Sequence, residues 1–132
     1  MKKIITVLLV DDDDDDRNLF FEAVREFDND ITGVGLSNGT DAIDYLKNEN
    51  NSVPDFIFLD LRMNGLSGQK CLEEIKSDDR LKSIPVIVYT TSKDVDESIK
   101  LKKLGAAHFM SKPTSPEEIY FMISVVLNEN WS

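Results

Sequence analysis

Ile4-Ile5-Thr6-Val7-Leu8-Leu9-Val10-Asp11-Asp12-Asp13-Asp14-Asp15-Asp16 joins a nearly continuous apolar run to six consecutive aspartates. The run is rich in β-branched residues and too short for a helix, so it reads as a buried strand over Ile4–Val10. Past the aspartates, Phe20, Ala23, Val24 and Phe27 recur at helical spacing with Leu19 beside them, and a helix is expected over about Asp14–Phe27. An acidic junction between a buried strand and an amphipathic helix is the first half of a βα unit.

The same alternation continues outward. Ile31–Leu36 reads as a weak strand loosened by Gly33 and Gly35, Asn38-Gly39 as a turn, and Ala42, Ile43 and Leu46 as a short helix. Pro54 precedes a third apolar strand, Asp55–Leu59, which ends at Asp60. Gly65 and Gly68 punctuate the loop before a helix carried by Cys71, Leu72 and Ile75. Pro85–Tyr89 is a fourth strand. Asp94 and Glu97 have capping-box spacing before a helix that Gly105 ends. Ala107–Met110 is a fifth strand, and Ser115-Pro116-Glu117-Glu118 opens a last helix to about Leu127. Five βα units with continuously apolar strands predict an α/β fold: a doubly wound five-stranded parallel sheet, order 2-1-3-4-5, with five helices. A single domain over residues 1–132, with no output domain, is expected.

Composition excludes several function classes. With 25 acidic and 15 basic residues the net charge is −10, and such a surface repels a phosphate backbone, so nucleic-acid binding is not expected. The lone cysteine, Cys71, cannot form an internal disulfide. Met1-Lys2-Lys3 and the apolar run superficially mimic a leader peptide, but the run meets six aspartates where a small-residue cleavage site belongs. No stretch approaches the ~18 apolar residues of a membrane span. A cytoplasmic location is expected.

In the predicted sheet, ligands bind beyond the carboxyl ends of the strands where strand order reverses, between the first and third strands. Asp11 and Asp12 follow the first strand and Asp60 ends the third, so three carboxylates converge on one crevice. Crowded carboxylates raise one another's pKa unless a cation offsets them, and a hard divalent ion with oxygen ligands does so. His108 and Cys71 are the only imidazole and thiol in the chain, which argues against zinc. An isolated acidic run is ordinarily a solvated segment. Here its start is tied to the sheet, so the run is expected to divide. Two aspartates serve a metal, Asp13 or Asp14 caps the helix, and the rest face solvent.

Four segments resemble the receiver domains of bacterial two-component response regulators, of the chemotaxis-receiver kind. They are Val7-Leu8-Leu9-Val10-Asp11-Asp12; Asp55 to Gly65, containing Asp60-Leu61-Arg62-Met63-Asn64-Gly65; Ile84-Pro85-Val86-Ile87-Val88-Tyr89-Thr90-Thr91; and Gly105 to Pro113, containing Phe109-Met110-Ser111-Lys112-Pro113. They occur in order at family-like spacing from about Ile4 to Leu127. Receivers are themselves among the folds on which the switch-point rule rests.

The resemblance implies a flavodoxin-like fold and assigns roles. Asp60 is the phosphoacceptor; Asp11, Asp12, Asp60 and the backbone carbonyl of Arg62 hold Mg²⁺, or Mn²⁺ in its place. Lys112 pairs with the phosphoryl group, with the Lys112–Pro113 bond cis, while Thr90 donates its hydroxyl and Thr91 its backbone N–H. By composition alone Lys112 would read as a solvent-exposed lysine, a preference that its place at the end of a short buried strand before Pro113 reverses; without the resemblance the threonines would read as strand-end β-formers. The donor would be a sensor histidine kinase or histidine phosphotransfer protein. Thr90 and Phe109 would form the switch, with a face made of the fourth helix, fifth strand and fifth helix for a downstream protein target or a homodimer. Such a chain is a stand-alone signalling switch, not an enzyme acting on an external substrate.

The sequence departs from the family pattern at Asn64, where proline is common, and at Thr114, where an aromatic is common. Arg62 and Ser92 occupy variable positions that influence dephosphorylation. Two other classes compete. A phosphorylation-independent interaction domain would not need the full set Asp11, Asp12, Asp60, Thr90 and Lys112. A metal-dependent phosphatase with an aspartyl nucleophile would carry a second acid two residues on, where Arg62 stands.

Overall fold

A computed structural model describes residues 3–4, 6–61, 66–91, 94–113 and 115–128. Its elements are β1 (Thr6–Val10), α1 (Asp14–Phe27), β2 (Thr32–Leu36), α2 (Gly39–Lys47), β3 (Phe56–Leu59), α3 (Gly68–Ser77), β4 (Val86–Thr90), α4 (Val95–Lys103), β5 (His108–Ser111) and α5 (Pro116–Asn128). All strand pairs are parallel and the order is β2-β1-β3-β4-β5, the doubly wound arrangement expected from the sequence. No helix among the described residues is long and apolar enough to cross a membrane.

Strand alternation splits the core into two layers. Leu8, Val10, Ile57, Leu59, Val86 and Val88 point to one face, where they pack with Ala42 and Leu46 of α2 and Leu72 and Ile75 of α3. Val7, Leu9, Phe56, Phe58, Ile87 and Tyr89 point to the other, against α1 and α5. On that second face Phe20 meets Phe58 edge-on at 4.8 Å, a favoured aromatic geometry. β1, β3 and β4 are buried along their whole length, whereas β2 and β5 are the half-exposed edges.

The helix starts follow the sequence, with two corrections. Asp94 caps α4, accepting from the N–H groups of Asp96 and Glu97, and Ser115 Oγ accepts from Glu118 N–H. Asn38-Gly39 is not a free turn: Asn38 caps α2 through Asp41 N–H and Gly39 is already helical. Gly68 likewise begins α3 behind its cap Ser67. Both glycines sit where backbone passes close by. A Cβ on Gly39 would lie 2.6 Å from the Leu66 carbonyl oxygen, and one on Gly68 2.5 Å from that of Asp60. Close approach, not turning, demands glycine here.

Candidate phosphoacceptor and cation site

The ladder that builds the sheet also pins the site. Val10 pairs with Leu59, so one step further Asp11 stands beside Asp60. Asp60 N–H donates to the Val10 carbonyl at 2.9 Å and Asp11 N–H to Leu36 at 3.0 Å. At the far edge, Lys112 N–H donates to the Thr90 carbonyl at 2.8 Å. Continuing the alternation, Asp11 follows Val7 and Leu9, Asp60 follows Phe56 and Phe58, and Lys112 follows Met110. All three therefore fall on the face covered by α1 and α5.

Asp11, Asp12 and Asp60 each bring a carboxylate oxygen to within 4.8 Å of the others. Asp11 and Asp60 are buried and Asp12 is exposed, so the cluster is open on one side. The Lys112 ammonium lies 2.7 Å from Asp11 Oδ2, 2.9 Å from Asp16 Oδ2 and 3.2 Å from Asp60 Oδ2, and 5.7 Å from the centre of the Tyr89 ring. Burial pushes the Asp11 carboxyl above its ordinary value, although Lys112 and the Asp13 N–H partly oppose it. Burial works against the Lys112 ammonium as well, but Asp11, Asp16 and Asp60 more than offset it and hold its pKa above that of a free lysine.

The donor set fits a hard divalent cation. Asp11 Oδ1 is taken by Asp13 N–H at 3.0 Å, while the buried Oδ2 has no directed hydrogen bond despite its charge contact with Lys112. A buried carboxylate oxygen without a donor, beside two other carboxylates, is the ligand environment that Mg²⁺ or Mn²⁺ prefers. No thiol or imidazole belongs to the cluster; Cys71 is on the buried face of α3 and His108 starts β5.

Thr90 ends β4 with no exposed surface and Thr91 follows it exposed. Phe109 is half-buried and packs on the opposite face, against the layer that includes Leu101 and Ala106. Arg62, Asn64, Ser92 and Thr114 lie outside the described residues. One expectation is overturned: no peptide bond among the described residues is cis, so Lys112–Pro113 is trans. The alternation of β5 alone carries the lysine to the site.

The acidic run divides as expected at its helix cap, but not at Asp16. Asp13 is the cap of α1, accepting from Asp16 N–H at 3.0 Å. Asp16 was expected to face solvent and instead joins Lys112. Arg17 was not singled out at all; its guanidinium donates to the Asp11 carbonyl and to Asp14, tying the run to the helix. The signal for Asp16 lay in the stripe Phe20, Ala23, Val24 and Phe27: one turn back along the same face is position 16.

Residues 7–124 match the family model of the response regulator receiver domain. A probable methanogenesis regulatory protein, FilR2 of Methanothrix harundinacea, is 34% identical over 87 residues, covering 64% of this chain; the chain spans 56% of that protein's length. Among solved structures, the Mn(2+)-bound form of response regulator Rcp1, a protein of Synechocystis, superposes with a TM-score of 0.84 at 30% identity, covering 92% of this chain and 91% of its own. The phosphorylated cyanobacterial phytochrome response regulator RcpA gives 0.86 at 30% identity, over 94% and 91%. Receivers are signalling switches rather than classical enzymes. With this fold, this acidic cluster and a match across most of its length, the chain belongs to the response regulator receiver domain family.

Proposed function

We propose that this chain takes a phosphoryl group on Asp60 in a Mg²⁺-dependent reaction and signals by conformational switching and protein contact. The observation that carries the reading is the meeting of Asp11, Asp12 and Asp60 within 4.8 Å beside the Lys112 ammonium. The donor is the phosphohistidine of a sensor kinase or of a phosphotransfer protein. An Asp60 carboxylate oxygen attacks phosphorus, a P–O bond forms as the P–N bond breaks, and the departing imidazole takes up a proton. Asp11, Asp12, Asp60 and the Arg62 carbonyl would hold Mg²⁺, or Mn²⁺, which offsets phosphoryl charge when bound. Lys112 neutralises the phosphoryl oxygens from the other side. The Thr90 hydroxyl and Thr91 N–H donate to them.

The added phosphoryl brings nearly two charges and three acceptors to a buried site. Thr90 moves toward it, Phe109 turns inward, and a pre-existing equilibrium between two conformations shifts. Val95 and Ile99 on α4 and Tyr120, Phe121 and Val125 on α5 are exposed apolar side chains, which supports this side as the contact surface for a target or a second copy. We read the chain as a cytoplasmic response regulator; the breadth of the match to Rcp1 and RcpA supports the response-regulator part of that reading. Incubation with Mg²⁺ and a small phosphodonor should add about 80 Da, one phosphoryl group, by intact-mass spectrometry. Asp60→Asn, or chelation of the cation, should abolish the gain. An unmodified wild type under these conditions contradicts the proposal, and turnover of an aryl phosphate would favour a phosphatase instead.

A further inference from the structure

Lys112 touches three carboxylates, and only two of them belong to the cation cluster. Its directed hydrogen bonds go to Asp16 Oδ2 at 2.9 Å and Asp60 Oδ2 at 3.2 Å. Its contact with Asp11 Oδ2, at 2.7 Å, is the shortest of the three but is not aligned as a hydrogen bond, so the ammonium also stands against a prospective cation ligand. An ammonium and a divalent cation repel each other and cannot both draw fully on the same oxygens. Asp16 stands outside the cluster formed by Asp11, Asp12 and Asp60. It is held in the first turn of α1, where its N–H is fixed by the Asp13 cap. One turn further along α1, Phe20 is fully buried, which fixes the face that Asp16 presents to the site.

We infer that Asp16 is a positioning residue: it gives Lys112 a counter-charge outside the cation cluster, keeping the ammonium beside Asp60 and letting a bound cation take over Asp11 Oδ2. An ammonium has three N–H donors, and Asp16 occupies one of them without using any ligand oxygen of the cluster. Without Asp16 the lysine falls back on Asp11 and Asp60 and competes with the cation for them. This inference rests on the reading of Asp11, Asp12 and Asp60 as cation ligands.

The test is a double-mutant cycle on Mg²⁺ affinity, measured by titration calorimetry with wild type, D16N, K112M and D16N/K112M. Thermal melts establish that each variant is folded, and D16S serves in place of D16N if the latter is not. D16N is expected to weaken Mg²⁺ binding by about tenfold, the size of one misplaced unit charge beside a dication. K112M should strengthen it. In the K112M background the Asp16 change should cost only about twofold, since no ammonium remains to be displaced. If Asp16 acted merely as a remote negative charge, losing Lys112 would unmask it and D16N would cost as much or more there, overturning the inference. Normal Mg²⁺ binding by both wild type and D16N would also overturn it while leaving the cation cluster intact. A wild type that binds no Mg²⁺ would overturn the cluster reading and this inference together.

Discussion

Lys112 joins three carboxylates of the site through one ammonium. Its ammonium is nearly buried and faces Asp11, Asp16 and Asp60, so its folded pKa is raised. The stability this contributes is fully present below the unfolded value, about pH 10.4, and is lost as pH rises through the higher folded value. Lys112→Met leaves buried carboxylates uncompensated and should cost about 3 kcal/mol in metal-free urea denaturation at pH 7. Added Mg²⁺ should narrow the deficit; an unchanged midpoint would show the ion pair to be energetically idle. Cys71 offers a simpler test. Burial, reinforced by Glu74, pushes its thiol up to about 12. Native protein should therefore resist alkylation at pH 8 and react fully once unfolded, and rapid native labelling would contradict that burial. The roles of Asp11, Asp12, Asp60 and Lys112 were suggested by motif resemblance. Asp16 was not, because a run of six aspartates looks like a solvated face unless the apolar stripe of the following helix is carried back through it.

Helix and strand boundaries follow from local chemistry that one sequence displays well. The caps at Asp94 and Ser115 are legible because a short polar side chain precedes an apolar period. Asn38-Gly39 and Gly68 mislead, since glycine normally signals a break and here begins a helix. The reason is tertiary: Leu66 and Asp60 backbone oxygens pass too close for a Cβ. Two substitutions separate these effects. Asp94→Ala removes a cap and should cost about 1 kcal/mol with no change in Mg²⁺ affinity. Gly68→Ala presses on the Asp60 carbonyl and Leu61 Cα, which cannot swing aside as a side chain can. It should cost roughly 2 kcal/mol or more and also weaken Mg²⁺ binding, because it displaces the backbone of Asp60. Equal and purely structural effects of the two changes would contradict the close approach.

At the scale of the molecule, the order β2-β1-β3-β4-β5 and strict alternation bring residues from both ends of the chain together. Asp11, Asp60 and Lys112 lie one step past three different strands on one face; Thr90 and Phe109 follow the opposite parity. The alternation is visible in the sequence, but which face a strand end presents depends on register, and register is set by pairing between distant segments. A ligand that binds only the folded state should stabilise the whole sheet: Mg²⁺ at a hundred times its Kd should add about 2.7 kcal/mol to unfolding, removed by a chelator. The most direct measurement is titration of paramagnetic Mn²⁺ followed residue by residue through backbone amide resonances. Signals of Asp11, Asp12 and Asp60 should broaden together, at one stoichiometric equivalent. Broadening confined to the exposed aspartates 13–15, with Asp60 untouched, would contradict a shared cation site.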